Sequence, residues 1–426
     1  MNKEWAAKWL PISIAALLHL AAMRLPLTLS VLLLAGPSVL AQAPASAPAA
    51  TGVAPTTSTV TVISPEVHPD RTVTLRFEAP NAQKVTVSVE GDAKALAMQK
   101  NADGIWEATT EAKPPEYYGY SFSVDGKREL DPRNPVVRPN LLSPTTVMHV
   151  PAATPQPWDL TDIPHGEVTH HIYQSKLAPK DGSTTDRDLY VYTPPGYDAK
   201  RKEAYPVLYL IHGFSDAANG WVEAGQANLI FDSLLHDGKV KPFVVVMPRG
   251  YGTMEMIEHV GPRPAALGVK SQELFSDQML HEILPMVEAR YNIARDPAHR
   301  AMAGLSMGGG HSQYTGLNHP EVFGYVGMFS SGITSAVADI RGKEVDSATY
   351  DKAFKAMLPN AATQPPVKLL WISCGTEDAL ITVNHGFETW AKTNIKGNVQ
   401  VRDTPGMHTW MVWRDDLIAF TPLLFR

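Results

Sequence analysis

"RAMAGLSMGGGHS", residues 300–312, decides the fold. The apolar run ending at Leu305 reads as a short buried strand, and the glycines from Gly308 onward open a helix. Between them Gly304-Leu305-Ser306-Met307-Gly308 is a G-x-S-x-G sequence. A serine at a strand-to-helix turn is the setting of a nucleophile elbow. Such a turn is so tight that the residues flanking the serine need minimal side chains, which leaves the hydroxyl projecting above the sheet. A helix that starts directly after Ser306 places its positive end beside any negative charge that develops there.

Working outward, the same alternation of strand and helix recurs. "DRDLYVYTPP", "PVLYLIHG", "PFVVVMPRG", "YVGMFSS", "VKLLWISCG" and "VQVRDT" read as strands. "QANLIFDSLLHDG", "VNHGFETWAKTN" and a C-terminal segment read as helices, and "QELFSDQMLHEILPMVEARY" repeats Phe275, Met279, Ile283 and Val287 on one helical face. The pattern predicts an α/β fold, a doubly wound and mostly parallel sheet whose ligands bind at the carboxyl ends of its strands.

A serine hydroxyl is a poor nucleophile until a base takes its proton, and the base needs an acid to fix its tautomer. "WISCGTEDAL" supplies Asp378 after an apolar strand, and "TPGMHTWMVW" supplies His408 after the next one. Ser, Asp, His is the chain order of the α/β-hydrolases. Glu377 competes with Asp378 for the acid, as does Asp403. His311, His385 and His259 are alternative bases, with His311 placed to pack inside the helix after Ser306. The backbone N–H of Met307 is one donor for an oxyanion. "LIHGFSDAANGW" offers the second, at Phe214, with His212 bracing the loop. His170 and His171 adjoin each other and no H-E-x-x-H occurs, so neither a metal nor any other cofactor is expected.

The chain of 426 residues is long enough for two domains with appendages. Its net charge of −6 and the lack of a Lys/Arg run that could act as a local basic patch argue against a nucleic-acid partner. The single cysteine, Cys374, excludes an internal disulfide and reads as a small buried side chain. Residues 1–41 read as an export signal: Arg24, the apolar run Leu25–Ala35 and a small-residue site ending at Ala41, with Met23 as a candidate true start. A secreted or periplasmic location follows, with no membrane partner after cleavage. Residues 42–59, rich in Ala, Pro, Ser and Thr, read as a tether. In residues 60–150, runs with alternating Val73, Leu75 and Phe77, then Val85, Val87 and Val89, then Tyr118, Tyr120 and Phe122 predict a small antiparallel sandwich. Trp106, Tyr117, Tyr118 and Tyr120 are read as core rather than as a sugar platform. Residues 151–165 form a Pro-rich linker, and residues 166–426 hold all the candidate chemistry. A chain shortened to 160–426 is therefore expected to keep activity on a small ester.

The front segment, with "DGIWEAT" and "DPRNP", resembles the early-set, immunoglobulin-like modules that precede many esterases and are similar to family 48 carbohydrate-binding modules. "IHGFSDAANGW", "RAMAGLSMGGGHS", "WISCGTED" and "PGMHTWMVWRDDLIAFTPLLF" together resemble the putative esterase family that contains carbohydrate esterase family 1, with its feruloyl and acetylxylan esterases. That resemblance implies an α/β-hydrolase with Ser306, Asp378 and His408 as the triad and Met307 and Phe214 at the oxyanion hole. It also implies that Trp221 and Trp410 line the acyl pocket, with core packing the alternative for both. The implied function is an exported serine carboxylesterase acting on ester substituents of plant-type polysaccharide, without cofactor. The same family includes siderophore trilactone esterases and acyltransferases, which share the triad. A reading from another class is a non-catalytic carbohydrate-binding protein with a degenerate hydrolase domain.

Overall fold

Short runs of buried β-branched and aromatic residues account for the larger sheet of this computed structural model, which describes residues 62–179, 184–261, 264–332 and 345–426. Its strands are β1 (Glu167–Gln174), β2 (Asp186–Thr193), β3 (Val207–Ile211), β4 (Val244–Pro248), β5 (Arg300–Leu305), β6 (Tyr325–Phe329), β7 (Val367–Gly375) and β8 (Gly397–Thr404). They lie in the order β1-β2-β4-β3-β5-β6-β7-β8. The β1–β2 and β2–β4 pairs are antiparallel, and every later pair is parallel. Strands β3 to β6 are buried at every position, as strands covered on both faces must be.

The two faces follow the period of two along each strand. Leu208, Leu210, Ala301 and Ala303 meet Phe231 and Leu234 of the helix Ala227–His236, and Leu417 and Phe420 of the helix Trp410–Phe420. Val207, Tyr209, Ile211 and Met302 meet Phe275, Met279, Ile283 and Val287 on the opposite face. Side chains four apart drift about 40° around an α-helix at each step. The chain corrects this with a π turn over Met279–Ile283 between the helices Ala265–Gln278 and Leu284–Arg290, beside Pro285. The chain runs from β3 outward to β4 and returns to β5 on the other side of β3. This reversal is a topological switch point, and the loops after β3 and β5 open there.

The elements that escape a sequence reading include edge strand β1 and the helix Ser347–Met357. Edge strand β1 is exposed or half-exposed along its length, with Ile172 at 70% exposure, so it carries no apolar signal. The helix Ser347–Met357, capped by the Asp346 side chain on the Thr349 N–H, packs Phe354 against Phe387 and Trp390 across a separate core.

Ahead of this sheet, residues 66–150 form two antiparallel sheets. One orders Glu66–Val67, Val73–Glu78, Ile105–Thr109 and Gln99–Lys100. The other orders Leu96–Ala97, Val85–Val89, Glu116–Val124, Thr145–Val150 and Val137–Arg138, with Lys127–Glu129 paired to Glu116–Val124. Val73 and Leu75 of the first meet Val85, Val87, Tyr120 and Phe122 of the second in one core. Trp106, Tyr118 and Tyr120 are buried there, while Tyr117 is half-buried and stacks on His149 at 4.2 Å. Trp158, from the Pro-rich segment that follows, packs against the core of the larger sheet. The expected export signal and tether, residues 1–59, lie outside the described residues.

Candidate active site

Ser306 stands where β5 turns into the helix Met307–His311, with φ 51° and ψ −113°. A side chain other than glycine holds a positive φ only where its surroundings impose it. Here the Ser306 N–H donates to Phe329 O at 2.8 Å, and its carbonyl accepts from the N–H of Gly332 at 2.8 Å and of Gly310 at 3.1 Å. The flanking glycines are steric requirements. A Cβ on Gly304 would lie 2.6 Å from the Gly308 carbonyl, and one on Gly308 would lie 2.3 Å from Ile211 O in the neighbouring strand.

Asp378 follows β7, and His408 follows β8. The His408 Nδ1 donates to Asp378 Oδ2 at 2.6 Å. The Asp378 side chain is buried, and its Oδ1 accepts from the Leu380 N–H at 2.8 Å. Burial pushes this carboxyl upward, but the His408 hydrogen bond and charge outweigh it and hold the group below the usual aspartate range. The two loops touch: a Cβ on Gly375 would lie 2.5 Å from Gly406 O. Glu377 is exposed, and its backbone N–H donates to Gly406 O at 2.9 Å.

The other candidates lie elsewhere. His385 and Asp403 pair at 3.0 Å on the surface, each about half exposed. His311 is buried against Phe275 at 4.5 Å, and desolvation pushes it down to about 3. His259 follows the short helix Glu255–Glu258. His170 meets Asp188 and His171 meets the Tyr291 hydroxyl, so the adjacent pair diverges. Cys374 is buried in β7, and burial raises its thiol out of the range of ordinary reactivity.

The loop after β3 runs beside the elbow. A Cβ on Gly213 would lie 3.6 Å from Ser306 Cβ, and Phe214 packs in one cluster with Met307, Tyr251 and Met254. The two expected oxyanion positions are thus neighbours. His212 braces the loop: Nδ1 donates to Gly213 O at 2.7 Å, and Nε2 accepts from the Gly250 N–H at 2.9 Å. Burial lowers it to about 4, so it stays neutral and does not compete with His408 for protons. Trp221 is wholly buried, donates to Ile211 O at 3.0 Å and meets Trp410 edge to face at 5.3 Å. Of the two tryptophans, Trp410 lines the cavity beside His408, and Trp221 supports it from behind.

That cavity, about 380 Å³, has a second wall which the sequence did not disclose. Phe214, His408 and Trp410 form one side, and Glu90, Arg138 and Asn140 of the front sheets form the other. Glu90 accepts from Arg138 Nη2 at 2.7 Å, the Gly119 N–H at 3.0 Å and the Trp410 N–H at 3.2 Å. Burial alone would raise its carboxyl, yet Arg138 and these hydrogen bonds hold it lowered. Arg414, wholly buried six residues after His408, donates to Glu116 Oε1 at 2.8 Å and Tyr117 O at 3.1 Å. A larger groove of about 740 Å³, between the helices Ser347–Met357 and Ile381–Asn394, holds none of Ser306, Asp378 or His408.

Residues 183–424 match the family described as "Putative esterase". An endo-1,4-beta-xylanase/feruloyl esterase of Xylanibacter ruminicola is 29% identical over 85% of this chain and 46% of its own length. An uncharacterized protein of Corynebacterium glutamicum is 28% identical over 56% of this chain and 58% of its own. The chain thus spans about half the length of the curated relatives it matches. Among solved structures, the enterobactin esterase FES of Shigella flexneri aligns over 83% of this chain and 92% of its own, with TM-score 0.61 and 20% identity. The CE1 ferulic acid esterase of Anaeromyces mucronatus aligns over 64% and 96%, with TM-score 0.51 and 21% identity. At these identities the likeness to both is one of fold.

Proposed function

This chain belongs to the putative esterase family, and from that premise we propose that it is an exported serine carboxylesterase that hydrolyses feruloyl or acetyl substituents of plant-type polysaccharide. Ser306 Oγ attacks the ester carbonyl carbon while His408 Nε2 takes its proton. Asp378 holds Nδ1, which leaves Nε2 as the free base and stabilises the imidazolium. The N–H groups of Met307 and Phe214 receive the oxyanion. Collapse breaks the bond to the sugar oxygen, which leaves with the proton from His408. Water then attacks the acyl-enzyme with His408 again as base, and the acid departs.

The observation that carries this reading is the 2.6 Å hydrogen bond from His408 to the buried Asp378, with His408 opening on the same cavity as Phe214 and a strained serine beside the Phe214 loop. The feruloyl esterase activity in the name of the Xylanibacter relative supports the substrate class. The front sheets fit an early-set, immunoglobulin-like module, and residues 1–41 an export signal giving a secreted or periplasmic enzyme.

A second reading, a siderophore trilactone esterase, is favoured by one observation. The likeness to the enterobactin esterase covers 83% of the chain, against 64% for the ferulic acid esterase. Steady-state kinetics on methyl ferulate, acetylated xylan and a catecholate trilactone separate the two. Preference for either of the first two supports the proposal, preference for the trilactone replaces it, and inertness toward all three and toward p-nitrophenyl acetate defeats both.

A further inference from the structure

The Asn140 side chain crosses from the front sheets to the loop that carries Phe214. Its Nδ2 donates to Ser215 Oγ at 3.0 Å and to Asp216 Oδ1 at 2.9 Å. Its Oδ1 accepts from the N–H groups of Leu142 at 3.1 Å and Ser143 at 2.9 Å, in the turn that Asn140 itself begins. The amide therefore has one satisfied orientation, with oxygen toward its own turn and nitrogen toward the loop. Next to it the Leu141 N–H donates to Ser215 O at 2.7 Å. From the larger sheet's side, the Tyr251 hydroxyl donates to Asp216 O at 3.0 Å, and the Asp216 N–H reaches Gly213 O at 3.3 Å. Ser215 sits at φ +69°, a strained conformation that these bonds hold in place.

Phe214 precedes that strained residue directly, so the direction of its N–H depends on how residues 213–216 are held. Two of the holding bonds to Ser215 and one to Asp216 come from Asn140 and Leu141, about 75 residues away in sequence and in a part of the chain with none of the triad. We infer that Asn140 is a positioning residue for the oxyanion hole: it clamps Ser215 and Asp216 so that the Phe214 N–H stays aimed at the developing oxyanion. The inference rests on the serine-esterase reading above. Deleting an oxyanion donor outright costs roughly a hundredfold or more, and loosening the aim of one costs less, about tenfold.

The test uses the full chain and p-nitrophenyl acetate. Asn140→Ser keeps an acceptor for the Leu142 and Ser143 N–H groups but is too short to reach Asp216. The expected result is a kcat lowered about tenfold with KM within about twofold. A trifluoromethyl ketone, whose hemiketal oxygen occupies the oxyanion position, should bind about tenfold more weakly to this variant, a change that general loosening would not produce. The double variant Asn140→Asp with Asp216→Asn exchanges donor and acceptor and should recover most of both losses. If Asn140→Ser does not fold, the double variant and Asn140→Ala carry the same comparison. A wild-type kcat in the single variant overturns the inference. So does a loss of kcat with unchanged ketone affinity, or a double variant no better than the single one. An inactive wild-type protein would instead sink the esterase reading itself.

Discussion

The two walls of the cavity beside His408 are built by different physics. On the larger sheet's side, Phe214 of the cavity wall and the neighbouring Met307 and Ser306 are placed by backbone. Strand ends fix their positions, and Gly304 and Gly308 make room that no side chain could occupy. Glu90, Arg138 and Asn140 of the front wall, and Glu116 elsewhere in the front sheets, are placed by charge and hydrogen bonding across sequence separations of up to about three hundred residues. The first wall tolerates almost no change in size. The second depends on charge pairing, because a buried carboxylate that loses its cation is left uncompensated.

The proposed chemistry breaks most completely on the first wall. Ser306→Ala should lower kcat/KM on p-nitrophenyl acetate by at least about a thousandfold, with a melting temperature at or above that of the wild type because the substitution removes the hydroxyl and not the fold. Residual activity near wild type would remove Ser306 from the reaction. Next in size, Asp378→Asn keeps the shape but donates where His408 Nδ1 needs an acceptor, and should cost about a hundredfold or more in kcat. Glu377→Gln, at an exposed side chain, should be nearly neutral. A crippled Glu377→Gln beside an active Asp378→Asn would reverse the assignment.

The front wall should give a smaller, graded response. Glu90→Gln removes the partner of Arg138 and weakens the hold on the Trp410 N–H, and should lower kcat/KM about tenfold while circular dichroism stays unchanged. Shortening the chain to residues 160–426 goes further, since it bares the wholly buried Arg414 and strips Met411 of its packing against the front core. Activity on a small ester should then fall rather than persist, and a shortened chain with full kcat/KM would show the walls to be independent.

The smallest effect contrasts two buried acids. Glu90 has Arg138 beside it, whereas Asp416 has the Thr404 hydroxyl at 2.5 Å, and burial pushes Asp416 up to about 7. A carboxyl raised on folding costs nothing extra while protonated. Its penalty grows as the pH climbs from its ordinary value through about 7, then levels. Asp416→Asn should therefore raise the melting temperature by about 2 °C or more near pH 8.5, and the gain should shrink toward about pH 4. A gain independent of pH would mean that packing, not ionisation, sets it.

Sequence alone determined most of the larger sheet and the positions proposed to bear its chemistry, because both depend on local patterns. Period-two apolar runs mark buried strands, and the glycines at 304 and 308 mark a turn whose geometry excludes side chains. The order Ser306, Asp378, His408 follows from which strand ends lie side by side in such a sheet. Edge strand β1 left no mark because it is exposed or half-exposed throughout, with only Val168 and Tyr173 touching the cores, so no apolar alternation is required. Only the tertiary structure decided that Glu377 faces water while Asp378 meets His408, that Trp221 is buried behind Trp410, and that the front sheets close the cavity. The reason is physical: a residue such as Glu90, Asn140 or Arg414 carries no local pattern, since its partner is chosen by a contact between distant segments that exists only once both have folded.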